Sequence, residues 1–409
     1  MSVYLFATLD TKGHEAAYLR ERLVEAGVQT VLVDCGALGE AQVRPDVVRE
    51  EVFRAAGTTL EAVRARGDRG EAVNAAARGA AELALRAQRA GKLSGVLGLG
   101  GSAGTTIGTA AMRALPLGVP KLMLSTLASG SVGHYVGTAD ILMMHSVVDI
   151  LGLNRISRVV LTRAAQAMAG MALGALPSSN AGDRPLVAAT MFGVTTPCVE
   201  RAKAVLEEAG YEVLVFHATG SGGRTMEALI DEGLIAGVLD VTTTELADEL
   251  VGGVLSAGPE RLTAAARAGI PQVVSVGALD MVNFLSFETV PPRFAARRFH
   301  RHNANVTLMR TTAEENAALG RGLAEKVARS IGPAKILLPR RGVSAIDRAG
   351  QPFDDPAARA ALFAAVRAHA GTAPVLELDL HVNDAAFADA LAGELVAMLL
   401  RCRPVPLDR

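Results

Sequence analysis

The sequence has no tryptophan and only three cysteines, and Phe, Tyr and Trp together make 4% of its 409 positions. Cys35, Cys198 and Cys402 lie far apart and form no CxxC pair. That excludes a disulfide framework and a thiolate zinc site, and it suits a reducing cytosol, so a cytoplasmic location is expected. Few rings also means few platforms for stacking single-stranded bases. Net charge is lacking too: 41 Lys and Arg stand against 42 Asp and Glu, a formal −1. Such a balance supplies no general field for nucleic acid or an anionic membrane, and neither is expected as a partner. The opening MSVYLFATLDTKG has no basic stretch and meets an acid early, so no signal peptide is expected. One long uncharged run exists at 93–112, but six of its twenty residues are glycine. A strand, a glycine turn and a small-residue helix explain it better than a membrane span.

What remains is a chain of short apolar runs alternating with amphipathic stretches, the pattern of a mostly parallel sheet covered on both faces. Strands are expected at 3–8, 30–34, 95–99, 121–125 and 141–144, with helices at 15–26, 105–114 and 156–176. Residues 44–91 read as helical, broken at Gly57 and around Gly67 to Gly70. The polar, proline-bounded stretch 177–185 reads as a linker. After it the opening pattern recurs. VYLFATLDTKGHEAAYLRERLVEAGVQTVLVDCG is matched by LVAATMFGVTTPCVERAKAVLEEAGYEVLVFHATG, and GVLGL by GVLDV further on. Later strands are expected at 306–309, 335–338 and 375–380, and a closing helix at 385–400. The expected architecture is α/β: two Rossmann-like doubly wound domains, 1–180 and 181–409, with a ligand cleft between them.

In open α/β sheets ligands sit beyond the carboxyl ends of the strands, so the loops that follow strands carry the functional information. The richest is Leu99-Gly-Gly-Ser-Ala-Gly-Thr-Thr106. Glycines let backbone N–H groups converge on an anion, and the next helix offers its positive end. Gly100, Gly101, Ser102, Ala103, Gly104 and Thr105 are therefore candidate ligands of phosphate or carboxylate. The loop is not a Walker A motif, since no lysine follows its last glycine, and the acid of a dinucleotide fingerprint is missing about twenty residues on. Two further loops fall on the same sheet edge. Asp10, Thr11 and Lys12 follow the first strand; Lys12 could reach a phosphate, and Asp10 could hold Mg²⁺ or cap the helix. Thr126, Leu127, Ala128, Ser129 and Gly130 follow the fourth. Three such loops describe an anion-binding edge.

The second half carries its own glycine loop, His217–Arg224, but Asp240, Thr242 to Thr244 and Glu245 replace the first half's glycines. That edge reads as built for a polar or cationic group. Asp280, Asn283, His300, His302 and Arg341 are candidates for moving a proton or orienting a second substrate. His300 and His302, two apart, would share one side of an extended segment, but no third ligand for a metal lies nearby.

Taken in order, TLDTKGHE, GLGGSAGTT, STLASG, HATGSGGR, LDMVNF, HNANVTLMRTT and RRGVSAID resemble an uncharacterised bacterial family. That family is similar to the ATP-binding N-terminal inhibitory domain of the tomato mosaic virus resistance protein. The resemblance spans essentially the whole chain. It implies two Rossmann-like subdomains, a homodimer, and ATP held by the three loops of the first half. It also implies that a barrel-domain partner, if needed, is encoded separately. The expectation is an ATP-binding protein acting as an ATP-dependent enzyme with a second substrate in the cleft. The alternative is a non-catalytic ATP-binding module. A sugar-nucleotide enzyme is a third reading, weakened by the low aromatic content.

Overall fold

Period-two alternation in the first strand decides which helices cover which face. The computed structural model describes residues 1–175 and 183–402. In β1 (Ser2–Ala7), Val3, Leu5 and Ala7 point to one apolar cluster and Tyr4 and Phe6 to another. The chain continues through α1 (Leu9–Glu25), β2 (Thr30–Asp34), α2 (Arg49–Ala55), α3 (Leu60–Arg66), α4 (Arg69–Arg89), β3 (Leu93–Gly100) and α5 (Ser102–Arg113). It then forms β4 (Lys121–Ser125), α6 (Gly133–Val136), β5 (Leu142–His145) and α7 (Arg155–Leu173). Helices α1 and α7 cover the Val3 face, and α2, α4 and α5 the Phe6 face. Strand burial on both sides is what an all-parallel sheet requires. Gly57 and Gly67, the two expected breaks, take positive φ where α2 and α3 end.

All five strands are parallel, in the order β2-β1-β3-β4-β5. This doubly wound order reverses direction between β1 and β3, so a crevice opens there beyond the carboxyl ends.

Residues 179–409 form a second compact unit, and 1–178 the first. Most of the expected linker 177–185, and the expected boundary at 180/181, lie outside the described residues. The second unit contains β6 (Leu186–Met191), α8 (Thr196–Glu208), β7 (Glu212–His217), α9 (Ser221–Asp231), β8 (Gly237–Thr242), α10 (Glu245–Val251), α11 (Ala264–Ala268) and β9 (Gln272–Gly277). There follow β10 (Met281–Phe284), β11 (Phe299–Asn303), β12 (Val306–Arg310), α12 (Ala313–Ala328), β13 (Ala334–Pro339), α13 (Pro356–His369), β14 (Val375–Leu378) and α14 (Ala385–Cys402). Its six-stranded parallel sheet runs β14-β13-β9-β8-β6-β7. Counted within the unit this is the first sheet's order with one strand added, so the internal repeat in the sequence is a repeat of topology. The expected strand at 306–309 corrects differently. It belongs to a separate antiparallel sheet, β10-β12-β11, that the alternation of runs did not separate from the main one.

Glycine sets the approach of α5 to β3. A side chain on Gly104 would lie 2.6 Å from the Leu99 carbonyl oxygen, and one on Gly100, whose φ is 154°, 2.9 Å from Gly104 Cα. A Gly104→Val variant is expected to lose roughly 1–3 kcal/mol by overpacking, read as a lower thermal midpoint than wild type.

Candidate functional site

At the β1/β3 reversal lies a cavity of about 270 Å³, near the lower end of small-molecule sites. Its floor is the start of α5. Gly101, the residue before the helix, supplies no side-chain cap, and the first intrahelical bond there runs from Thr105 N–H to Gly101 O at 2.8 Å. The N–H groups of Ser102, Ala103 and Gly104 therefore have no partner within the helix, at three residues that line the cavity. The required left-handed backbone sits at Gly100; Gly101 has φ −83°, and a side chain there would meet only Thr126 Oγ1, at 3.6 Å. Ser102 presents an exposed hydroxyl. Thr105 does not reach the cavity: it is fully buried, with its hydroxyl 2.7 Å from both Gly101 O and Ser125 Oγ.

The first loop is not a turn but the opening of α1, kinked at Lys12, where φ is −127° and ψ 19°. Its polar side chains hold the cavity's walls. Asp10 Oδ2 accepts from the Leu38 and Gly39 amides at 3.0 and 3.2 Å. Asp10 therefore does not cap the helix start as expected; it lines the cavity with Oδ2 already held by these two amides. Lys12 Nζ donates to Ile150 O, and Glu15 accepts from the Gly152 amide at 2.5 Å. Lys12 still lines the cavity and forms no ion pair among the described residues. Thr8 and Thr11 complete this side, their hydroxyls 3.0 Å apart. The third loop, Thr126 to Gly130, stands beside Gly100 through Thr126 N–H to Gly100 O, at 3.3 Å, but does not line the cavity.

Sequence reasoning missed the opposite wall. Ala37 and Leu38 after β2, and Ala72 and Val73 on α4, make it apolar, with Ile107 behind. Arg69 and Asp149 stand at its mouth, both exposed. The wall is fixed by buried Asp34, which accepts from Leu9 N–H (3.1 Å) and Gly36 N–H (2.9 Å) and pairs with Arg49 at 2.6 Å. Arg64 adds a bond of 2.7 Å to Ala37 O. An acid closing the second strand normally suggests a ribose ligand; here it is enclosed and spent on protein.

The corresponding edge of the second unit is filled by the chain itself. Glu245 Oε1 accepts from the Gly220 and Gly223 amides at 2.6 and 3.1 Å, so the second glycine loop already holds a carboxylate. Arg261 lies between Glu245 (2.6 Å) and Asp240 (2.5 and 2.8 Å), and all three are buried. The edge does suit a cation, and that cation is Arg261, sixteen residues beyond Glu245 with no local signal to connect them.

The expected proton-transfer residues are not joined by any hydrogen bond or ion pair among the described residues. Asp280 is enclosed: Oδ2 accepts from Ser344 Oγ at 2.8 Å and Oδ1 has no partner. Burial pushes its carboxyl up to about 7, nearby Asp347 adding to the effect against Arg310. Asn283 binds Asp248 by its amide N–H (3.0 Å) and by Nδ2 (2.6 Å); burial pushes Asp248 up to about 7 as well. Arg341 is exposed and paired with Asp379 at 2.6 Å. His300 packs edge-on against Phe353, while exposed His302 falls in a register shift between Arg301 and Asn303. That irregularity breaks the alternation on which a shared face depended. No group of three or more His, Cys, Asp or Glu suited to a metal occurs among the described residues.

Both halves of the chain are similar to known proteins. Residues 1–177 match the N-terminal domain, and 184–399 the C-terminal domain, of the uncharacterised protein family UPF0261. The chain belongs to UPF0261. Among UPF0261 proteins, one from Clostridium tetani is 47% identical over 97% of this chain and 98% of its own length. Another, from Rhizobium meliloti, is 49% identical over 95% and 96%. The ToMV resistance protein Tm-1(GCR237) of Solanum lycopersicum is 47% identical over 76% of this chain, but that match covers only 42% of the tomato protein. A solved glycosyltransferase, SsfS6 of Streptomyces sp. SF2575 complexed with thymidine diphosphate, aligns over 98% of this chain and 96% of its own at 12% identity. Its TM-score of 0.18 gives that likeness no weight. No helix among the described residues of this UPF0261 chain is long and apolar enough to cross a membrane.

Two predictions follow from the second unit's interior. Arg261→Met strands the buried carboxylates of Asp240 and Glu245 and should cost about 3–5 kcal/mol, measured by urea unfolding. For Asp280, native-state protonation persists to about pH 7, whereas the unfolded side chain loses its proton near 4. Its contribution is thus full below pH 4 and lost as pH rises towards 7. Asp280→Asn should make the fall in stability between those pH values shallower, with Asp248 and Asp347, both also raised by burial, contributing to the slope that remains.

Proposed function

We propose that the chain binds ATP in the cavity of its first unit. The observation that carries this reading is the pairing, within one cavity, of an uncapped helix start with a separate apolar wall. Unpartnered amides and the Ser102 hydroxyl suit phosphate oxygens, with Lys12 and Arg69 adding positive charge at the rim. Leu38, Ala72 and Val73 suit the flat apolar face of a base. Fold alone does not choose a ligand, so the argument rests on these groups. The enclosed Asp34 argues against a dinucleotide held by its ribose. The role of Asp10 argues that Mg²⁺, where it accompanies ATP, arrives on the phosphates rather than on that carboxylate.

Binding without turnover is the reading the second unit favours. Of the residues expected to carry chemistry there, Asp280 and Asn283 are enclosed and Arg341 is already paired, which leaves the two histidines, joined to none of the others by a hydrogen bond among the described residues. A homodimer and a separately encoded barrel-domain partner remain part of the proposal.

Isothermal titration with ATP and Mg²⁺ tests the reading. Saturable heat and a raised thermal midpoint are expected; neither at millimolar ATP would overturn it. Lys12→Ala should bind about ten- to hundredfold more weakly, the value of one charge-assisted contact of roughly 1.5–3 kcal/mol. Wild-type affinity in that variant would place the phosphates away from α1.

A further inference from the structure

The second unit carries a concentration of positive charge that its fold does not neutralise. Residues 287–305 contain four arginines, two histidines and a single acid, Glu288, in a chain whose overall charge is −1. Among the four, only Arg297 is matched by a carboxylate among the described residues, Glu315 at 2.6 Å. Arg298 donates to the Asp354 carbonyl at 3.2 Å, and Arg293 to that of Val251 at 3.3 Å, neither of which cancels charge. All three unmatched arginines, Arg293, Arg298 and Arg301, are exposed.

Aromatic rings, scarce elsewhere, gather at the small antiparallel sheet. Phe284, Phe287, Phe294 and Phe299 lie on or against one of its faces, Phe287 exposed and Phe284 and Phe294 buried, while Phe353 is buried against the other. The Arg301 guanidinium sits 4.3 Å from the Phe287 ring centre, and that of Arg293 4.7 Å from Phe294. Stacking of this kind holds the guanidinium plane; it leaves the N–H edge of Arg301 for a carboxylate fork, and that of Arg293 apart from the Nη2 group given to the Val251 carbonyl. Phe287 meets Phe299 edge-on at 5.4 Å, and beside it Leu285 is 55% exposed. Strand β11 has β12 on one side only, so its other edge offers unpaired backbone groups.

We propose that this face is a docking surface for an acidic, extended peptide segment of a partner protein. Carboxylates would meet the held edges of Arg293 and Arg301, an apolar side chain would lie on Leu285 and Phe287, and the backbone would run beside β11. The proposal is independent of ATP binding. Charged residues and a register shift can also serve merely to keep a sheet edge from pairing with another copy, and the test separates that role from docking.

The probe is a short fluorescein-labelled peptide of Glu and Asp with one central Phe, followed by fluorescence anisotropy on the full chain. Its comparators are the same peptide with Gln and Asn, and a single-stranded oligonucleotide of equal charge. The acidic peptide is expected to bind, more weakly as salt rises, and both comparators at least about tenfold more weakly. Arg293→Glu combined with Arg301→Glu should lower its affinity by about tenfold or more, roughly one such contact. Arg86→Glu, in the other unit, should not. Unchanged thermal melting of the double variant keeps loss of binding distinct from loss of fold. Equal binding of the neutral peptide, or tighter binding of the oligonucleotide, would overturn the proposal. So would absence of peptide binding; self-association of the double variant would then identify the arginines as edge guards.

Discussion

Much of the first unit depends on two backbones lying closer than side chains allow. Helix α5 rests on β3 where glycine faces glycine: a carbon added to Gly98 or Gly108 would lie 3.3 Å from the other's Cα and nearer still to Met123 Sδ, and Gly104 meets Gly100 and the Leu99 carbonyl. That contact fixes where the helix begins and therefore where its unpartnered amides point. The cavity follows from it. With ordinary side chains at these positions the helix would stand off the sheet, and the amides of residues 102 to 104 would open elsewhere.

The two units show what one topology can do with different residues at its reversal point. In the first, glycine and hydroxyl groups leave the carboxyl edge of the sheet open. In the second, Glu245 takes the position of an external anion on the glycine loop, and Arg261 neutralises Glu245 and Asp240 together. Both solve the same electrostatic problem, unpartnered amides at a helix start. One leaves the counter-charge to be supplied; the other builds it in.

The fold was largely legible because its signals are local. Alternation in Val3 to Ala7, the breaks at Gly57 and Gly67, and the recurrence of the opening pattern all operate within a few residues. The floor of the site was legible for the same reason. The walls were not. Asp10 and Lys12 are read as ligand groups from their own loop, which gives no sign of the protein partners that also hold them, Leu38 and Ile150. Arg69 and Asp149 stand in helical and loop contexts that carry no mark of the cavity they border. His302 shows the converse limit: even spacing in a strand predicts a shared face only until one irregular residue shifts the register.

The single opening of α1 grips both sides of the cavity, through Asp10 to residues 38 and 39 and through Lys12 and Glu15 to residues 150 and 152. These are two jaws hung on one pivot. The kink at Lys12 lies between the residues that hold the two sides, so the Leu38 side and the Ile150 side are fixed to the same two turns of one helix. The Lys12 ammonium is shared between the cavity it lines and the Ile150 carbonyl, so the cavity is tied through one side chain to the segment at Leu151, which is 76% exposed at the protein surface.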